Sequence, residues 1–161
     1  MRAPLLLLVL LAACGRPAPE APEPVAAPSF RDPAIPIASS LRAGAADLAG
    51  EWVVARAYPG GPLPLAAGTP LSLRMAEGGA LLWSAGGRTL RTEEVARGRF
   101  RAGGTELWLL WTDDDGRTAV IGSPDGRAGW IMDRAGRASS DRARAAREML
   151  DFNGFDLARL P

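Results

Sequence analysis

The chain has 161 residues, enough for one domain with a modest core, and its 47% hydrophobic content is ordinary for a globular protein. The formal charge is only +1 and every basic residue is an arginine, so the basic surplus expected of a nucleic-acid binder is missing. With no histidine and a single cysteine, the chain excludes His-centred triads, most zinc sites and any internal disulfide.

The first stretch reads as an export signal over residues 1–13. Arg2 forms a minimal positive region, and Leu5 to Leu11 is an apolar run too short to span a bilayer. Leu11-Ala12-Ala13-Cys14 resembles a bacterial lipobox. That resemblance implies lipid attachment at Cys14 and a stable membrane anchor, because several acyl chains hold far better than one. Gly15, where an inner-membrane retention signal places Asp, favours the outer membrane facing the periplasm. Residues 14–28 form the lipidated end and a tether. Pro17, Pro19, Pro22, Pro24 and Pro28 alternate with Ala and Glu, as in an extended polyproline-like spacer. Residues 29–49 carry scattered apolar side chains (Phe30, Ile35, Ile37, Leu41), as in a segment laid over a folded body.

From Gly50 the sequence turns into short runs of β-formers separated by glycine pairs. Glu51 to Tyr58 precedes a Pro/Gly-rich loop. Leu71 to Met75, Ala80 to Ser84 and Arg88 to Thr92 are joined through Gly78-Gly79 and Gly86-Gly87. Glu93-Glu94 reads as a solvated turn, Val95 to Arg101 as the next strand, and Gly103-Gly104 as the turn before Glu106. Leu107 to Trp111, Thr118 to Ile121 and Gly129 to Met132 make a meander, with turns at Asp113-Asp114-Asp115-Gly116 and Ser123-Pro124-Asp125-Gly126. Eight strands are what a small up-and-down barrel needs. Several of these runs are only about five residues long, which predicts a shallow barrel or one missing a hairpin. Asp141 to Phe152 reads as a helix capped by Ser139 or Ser140. Ala143, Ala146, Met149 and Leu150 form its packing stripe, while Arg142, Arg144 and Arg147 face water, a solvated face being favoured over a membrane-surface one.

The run Trp111 to Asp125 together with Gly129-Trp130-Ile131-Met132-Asp133-Arg134 resembles the last barrel strands of bacterial outer-membrane lipocalins. Gly50-Glu51-Trp52 matches that family's Gly-x-Trp motif, and Gly154-Phe155-Asp156-Leu157 its ending. The resemblance implies an eight-stranded antiparallel up-and-down β-barrel over residues 50–134, with a C-terminal α-helix packed outside it over residues 135–161. It also implies that Asp113 opens the turn between the sixth and seventh strands. Arg134 would pack across Trp52 at the closed end, a cation–π contact worth on the order of 0.5–2 kcal/mol. Where that family often has Tyr, this chain has Gly116.

The function implied by the resemblance is non-covalent binding of a small amphipathic molecule, a fatty acid or lysophospholipid, in envelope lipid storage, transport or repair. If Trp52 points inward, alternation sends Val54, Arg56 and Tyr58 inward too, and Arg56 could then meet an anionic head group. Trp83, Trp108 and Trp130 complete the candidate pocket lining. The competing expectation is a barrel filled by its own side chains, with loops that bind an envelope protein. No enzyme is expected: Gly122-Ser123-Pro124-Asp125-Gly126 has the wrong spacing for a nucleophile elbow, and no phosphate-binding loop occurs. No cofactor or metal is expected either, since an EF-hand counted from Asp113 would need glutamate where Pro124 stands. Oligomeric state is left open by the sequence.

Overall fold

The structure, a computed structural model, describes residues 28–161; the export signal, Cys14 and nearly all of the tether lie outside the described residues. Eight antiparallel strands follow one another around a closed barrel: β1 (Gly50–Ala57), β2 (Pro70–Met75), β3 (Leu81–Ala85), β4 (Arg88–Ala96), β5 (Arg99–Ala102), β6 (Thr105–Thr112), β7 (Thr118–Gly122) and β8 (Gly129–Asp133). Closure is made by β1 against β8, with Val53 opposite Asp133 and Ala57 opposite Trp130. No hairpin is missing, and β1, β4 and β6 run eight, nine and eight residues.

One turn assignment is corrected. Glu93 and Glu94 belong to β4, and the turn falls at Arg97-Gly98, inside the run expected as one strand. Gly98 takes φ +71°, and a Cβ there would strike the backbone oxygen of Ser40 at 2.5 Å, so a single glycine makes this turn. Glu94 is also no idle solvated acid. Its carboxylate accepts the backbone N–H of Gly98 at 2.8 Å and of Ala45 at 3.0 Å. It thereby pins a four-residue helix, α1 (Ala45–Leu48), across the barrel floor.

Helix α2 (Ser140–Phe152) begins at Ser139, whose hydroxyl accepts the N–H of Arg142, and buries Ala146 and Leu150 against the outside of the barrel. Arg142 does not face water, as its place beside Ala143 suggested. It donates to Thr118 Oγ1 at 2.9 Å and pairs with the fully buried Asp133 at 3.4 Å and with Asp113 at 3.7 Å. The helix is thus bolted to the rim as well as packed on the wall.

Residues 30–43 strap the barrel. Backbone bonds Phe30 to Gly126, Asp32 to Gly154 and Asp156 to Phe30, with an isolated bridge between Arg31 and Phe155, clasp the strap to the C-terminal segment. Arg31 is buried and donates to the carbonyls of Asn153, Pro124 and Ile35. Phe30, Tyr58 and Phe155 stack in sequence, with centroids 4.9 and 5.7 Å apart. The Phe155 ring lies so close to Gly122 and Gly129 that a Cβ on either would sit 2.8–2.9 Å from it, so the bare backbone at both positions is what admits the ring.

Candidate functional site

Three places could hold chemistry: the barrel interior, its floor, and the cleft beneath α2. The interior is lined by alternate residues from every strand and filled by large side chains. Trp83 and Trp130 meet edge to face at 5.8 Å, and Phe100 meets Trp83 likewise at 5.5 Å. All three have at most 1% of their surface exposed. Trp83 Nε1 donates to Thr92 Oγ1 at 2.9 Å, and that hydroxyl donates to the Leu81 carbonyl. At the mouth, Leu63 from the loop after β1 is buried in the same apolar cluster as Ala85 and Ala128. One polar demand is left over. Trp130 Nε1 is the one buried side-chain nitrogen or oxygen without a hydrogen-bond partner among the described residues.

The floor is made by the first and last strands. The guanidinium of Arg134 lies 4.1 Å over the Trp52 ring and donates to the carbonyls of Gly116, Ala49 and Asp47, while Trp52 Nε1 donates to Leu48. Gly50 takes φ +126° here, and a Cβ would meet Arg134 Nη1 at 2.6 Å. Burial lowers the pKa of Arg134 from the ordinary arginine value. Asp113 accepts the backbone N–H groups of Arg117 and Thr118, both at 2.7 Å, and so shapes the β6–β7 turn. Among the described residues no cluster of His, Cys, Asp or Glu is placed to hold a metal ion, and no helix is long and apolar enough to cross a membrane.

The candidate pocket residues divide between the two sides of the wall. Val54, Trp83 and Trp130 point inward, but Arg56, Tyr58 and Trp108 do not. The cause in β1 is a β-bulge: the register steps from Val54–Met132 to Arg56–Ile131, leaving Ala55 as the extra residue. Alternation therefore shifts by one, so that Ala57 points inward, Arg56 is exposed, and Tyr58 joins the strap stack outside. Its hydroxyl donates to the Asp156 carbonyl at 2.8 Å, and burial, then the Asp156 charge, raises its pKa to about 12. Trp108 lies on the outer face under Arg99, at 4.0 Å, and donates to Glu106 at 3.2 Å. Sequence reasoning missed Arg137 and read Arg147 as part of a solvated helix face; both share the cleft beneath α2 with Arg56. No motif joins these three positions, so only the folded chain brings them together.

A closed eight-stranded barrel, a floor sealed by an Arg–Trp stack and one C-terminal helix against the wall define a recognisable architecture. Residues 93–161 match the family model described as Lipocalin-like domain. The barrel is lipocalin-like. Among solved structures, the chain is similar to the cockroach major allergen Per a 4. That pair shares 15% identity over 80% of this chain and 93% of the allergen, with a TM-score of 0.54. Lobster apocrustacyanin A1 gives 13% identity over 83% of this chain and 90% of its own, with a TM-score of 0.52. The siderocalin Ex-FABP, described as functioning through dual ligand specificities, gives 13% identity, 71% and 91% coverage, and a TM-score of 0.51. Identities this low speak to the fold alone. No curated protein sequence matches the chain.

Proposed function

We propose that this lipocalin-like chain is a non-enzymatic binding protein of the bacterial envelope, lipid-anchored at Cys14 in the outer membrane and facing the periplasm. Its binding is done on the outside of a self-filled barrel. The observation that carries this reading is the interior: Trp83, Trp130 and Phe100 occupy the space a calyx ligand would need, and Leu63 closes the mouth above them. Acyl burial gains about 0.8 kcal/mol per CH₂, but only where a cavity exists or can be opened cheaply. Swinging two interlocked indoles aside would expose apolar surface and forfeit their edge-to-face contacts.

One observation favours a second reading, in which a fatty acid or lysophospholipid enters the calyx for storage, transport or repair. Trp130 Nε1 lacks an acceptor inside the barrel, and a ligand oxygen could supply it. The two readings separate in one titration. The processed chain, residues 14–161 with Cys14→Ser to prevent acylation, is titrated with lauric acid, oleic acid and lysophosphatidylcholine below their micelle thresholds. Indole N–H resonances and tryptophan emission are followed together. A self-filled barrel leaves the Trp83 and Trp130 indole resonances unmoved at every chain length. Saturable, stoichiometric shifts of both would establish the calyx and overturn the outer-surface reading.

A further inference from the structure

The cleft beneath α2 has a chemistry that neither barrel nor floor uses. It encloses about 450 Å³ between β1, β8 and the helix, within the range of small-ligand sites. Ala55, Ile131 and Ala143 give it an apolar floor, and Arg56, Arg137 and Arg147 stand around it; no carboxylate lines it. Among the described residues, none of these three guanidiniums makes a hydrogen bond, an ion pair or a stack on a ring, although Glu148 and Asp151 line the adjoining groove beside Arg147. On the same helix Arg142 is neutralised by Asp113 and Asp133, and Arg144 by Asp141 and Glu148. The bulge at Ala55 is what puts Arg56 here, because unbroken alternation would have turned it inward. Grouped cations without counter-charges make a local positive potential that draws anions. Planar guanidinium forks suit phosphate oxygens in particular.

We propose that this cleft docks the phosphate headgroup of an anionic phospholipid in the bilayer, seating the barrel on the membrane by its α2 face. The inference rests on the envelope-anchored reading above and adds to it an orientation and a recognised lipid chemistry. Three features select this occupant. The charge complements a phosphate, and the apolar floor suits the glycerol and first methylenes behind it. The strap that leads toward the tether is also held at the end of the same helix, where Asn153 receives Arg31 and Ala38. A polyproline-like spacer between Cys14 and Pro28 would reach about 40 Å at ~3 Å per residue, enough to let this face lie against the membrane that holds the anchor.

The test uses the processed chain with Cys14→Ser, so that acylation contributes nothing. It is co-sedimented with vesicles of phosphatidylglycerol and phosphatidylethanolamine, and separately with vesicles of phosphatidylcholine alone. Each arginine near an anionic surface is worth about fivefold in partitioning, so Arg56→Gln/Arg147→Gln should lower binding to the anionic vesicles about twenty-fold. Arg88→Gln/Arg117→Gln removes the same charge from exposed positions outside the cleft and should cost twofold or less. Thermal unfolding of both variants should match the parent, since none of the four side chains is buried. Equal losses in the two pairs would overturn the proposal, as would a parent chain that ignores anionic vesicles or binds phosphatidylcholine as well. If the acylated full chain still fractionates with the outer membrane after such a failure, the anchor stands and only the docking cleft falls.

Discussion

Inside the barrel wall, side chains alternate strand by strand and meet one another; just outside, beneath α2, three arginines have no ion-pair or hydrogen-bond partner among the described residues. The two regions share strands β1 and β8, and the one arginine that the barrel wall supplies, Arg56, stands outside because of one inserted residue. Up to Val54 the alternation of β1 feeds the core, and after Ala55 it is shifted by one, which sends Arg56 out and Ala57 in. A barrel can therefore keep its interior uncharged while using the same strand to build a charged outer face.

The sharpest break of that comparison is Trp83→Ala. It removes the ring that Trp130 and Phe100 both lean on and leaves Thr92 without its donor. A loss of about 3–5 kcal/mol is expected in urea unfolding, with a cavity at the barrel centre. If the variant instead unfolds like the parent, the interior is looser than described and the calyx reading gains. A smaller effect is expected on the outer wall. Gly122→Ala would force a methyl against both Phe155 and Leu110, costing about 1–3 kcal/mol, and Phe155→Leu in the same chain should recover only the part of the loss due to the ring. Failure of that rescue would mean that Gly122 is needed for a reason other than the ring.

The smallest effect is one of pH. Tyr58 is the only tyrosine in the chain, so absorbance at the phenolate band follows it alone. Its folded pKa of about 12 lies above the ordinary 10.0. The stabilisation is fully present below pH 10, where both folded and unfolded chains keep the proton. It is lost progressively between about pH 10 and 12, as only the unfolded chain releases it. Titration near 12 with a falling unfolding midpoint across that window is expected. A midpoint near 10 would mean that the strap does not bury the phenol.

Much of this molecule was legible in its sequence, for local reasons. Glycine pairs and Asp-Gly turns placed most hairpins. The sequence separation of Gly50-Glu51-Trp52 from Arg134 still allowed the barrel floor to be read, because a family resemblance tied its two halves together. The errors share a different cause. Leu107 to Trp111 is apolar throughout, so nothing in the run sets which alternate residues face the core, and Trp108 was assigned to the wrong side. A bulge adds one residue without any composition signal of its own, which misplaced Arg56 and Tyr58. Arg142 looked solvated because helical periodicity describes only the helix. Its acids, Asp113 and Asp133, come from the barrel rim. Arg56, Arg137 and Arg147 gather only because β1, the approach to α2 and α2 itself converge in space.

The clasp between strap and C-terminal segment also has a mechanical meaning. A pull arriving through residue 28 loads Phe30, Arg31 and Asp32 first. These are held by the backbone of Gly126, Gly154 and Asp156 and by the buried guanidinium of Arg31. Gly126 lies in the turn between β7 and β8, so part of that load passes straight into the barrel. Residues 30–32 are thus the point where a load from the N-terminal side enters the domain, shared between the β7–β8 turn and the C-terminal segment.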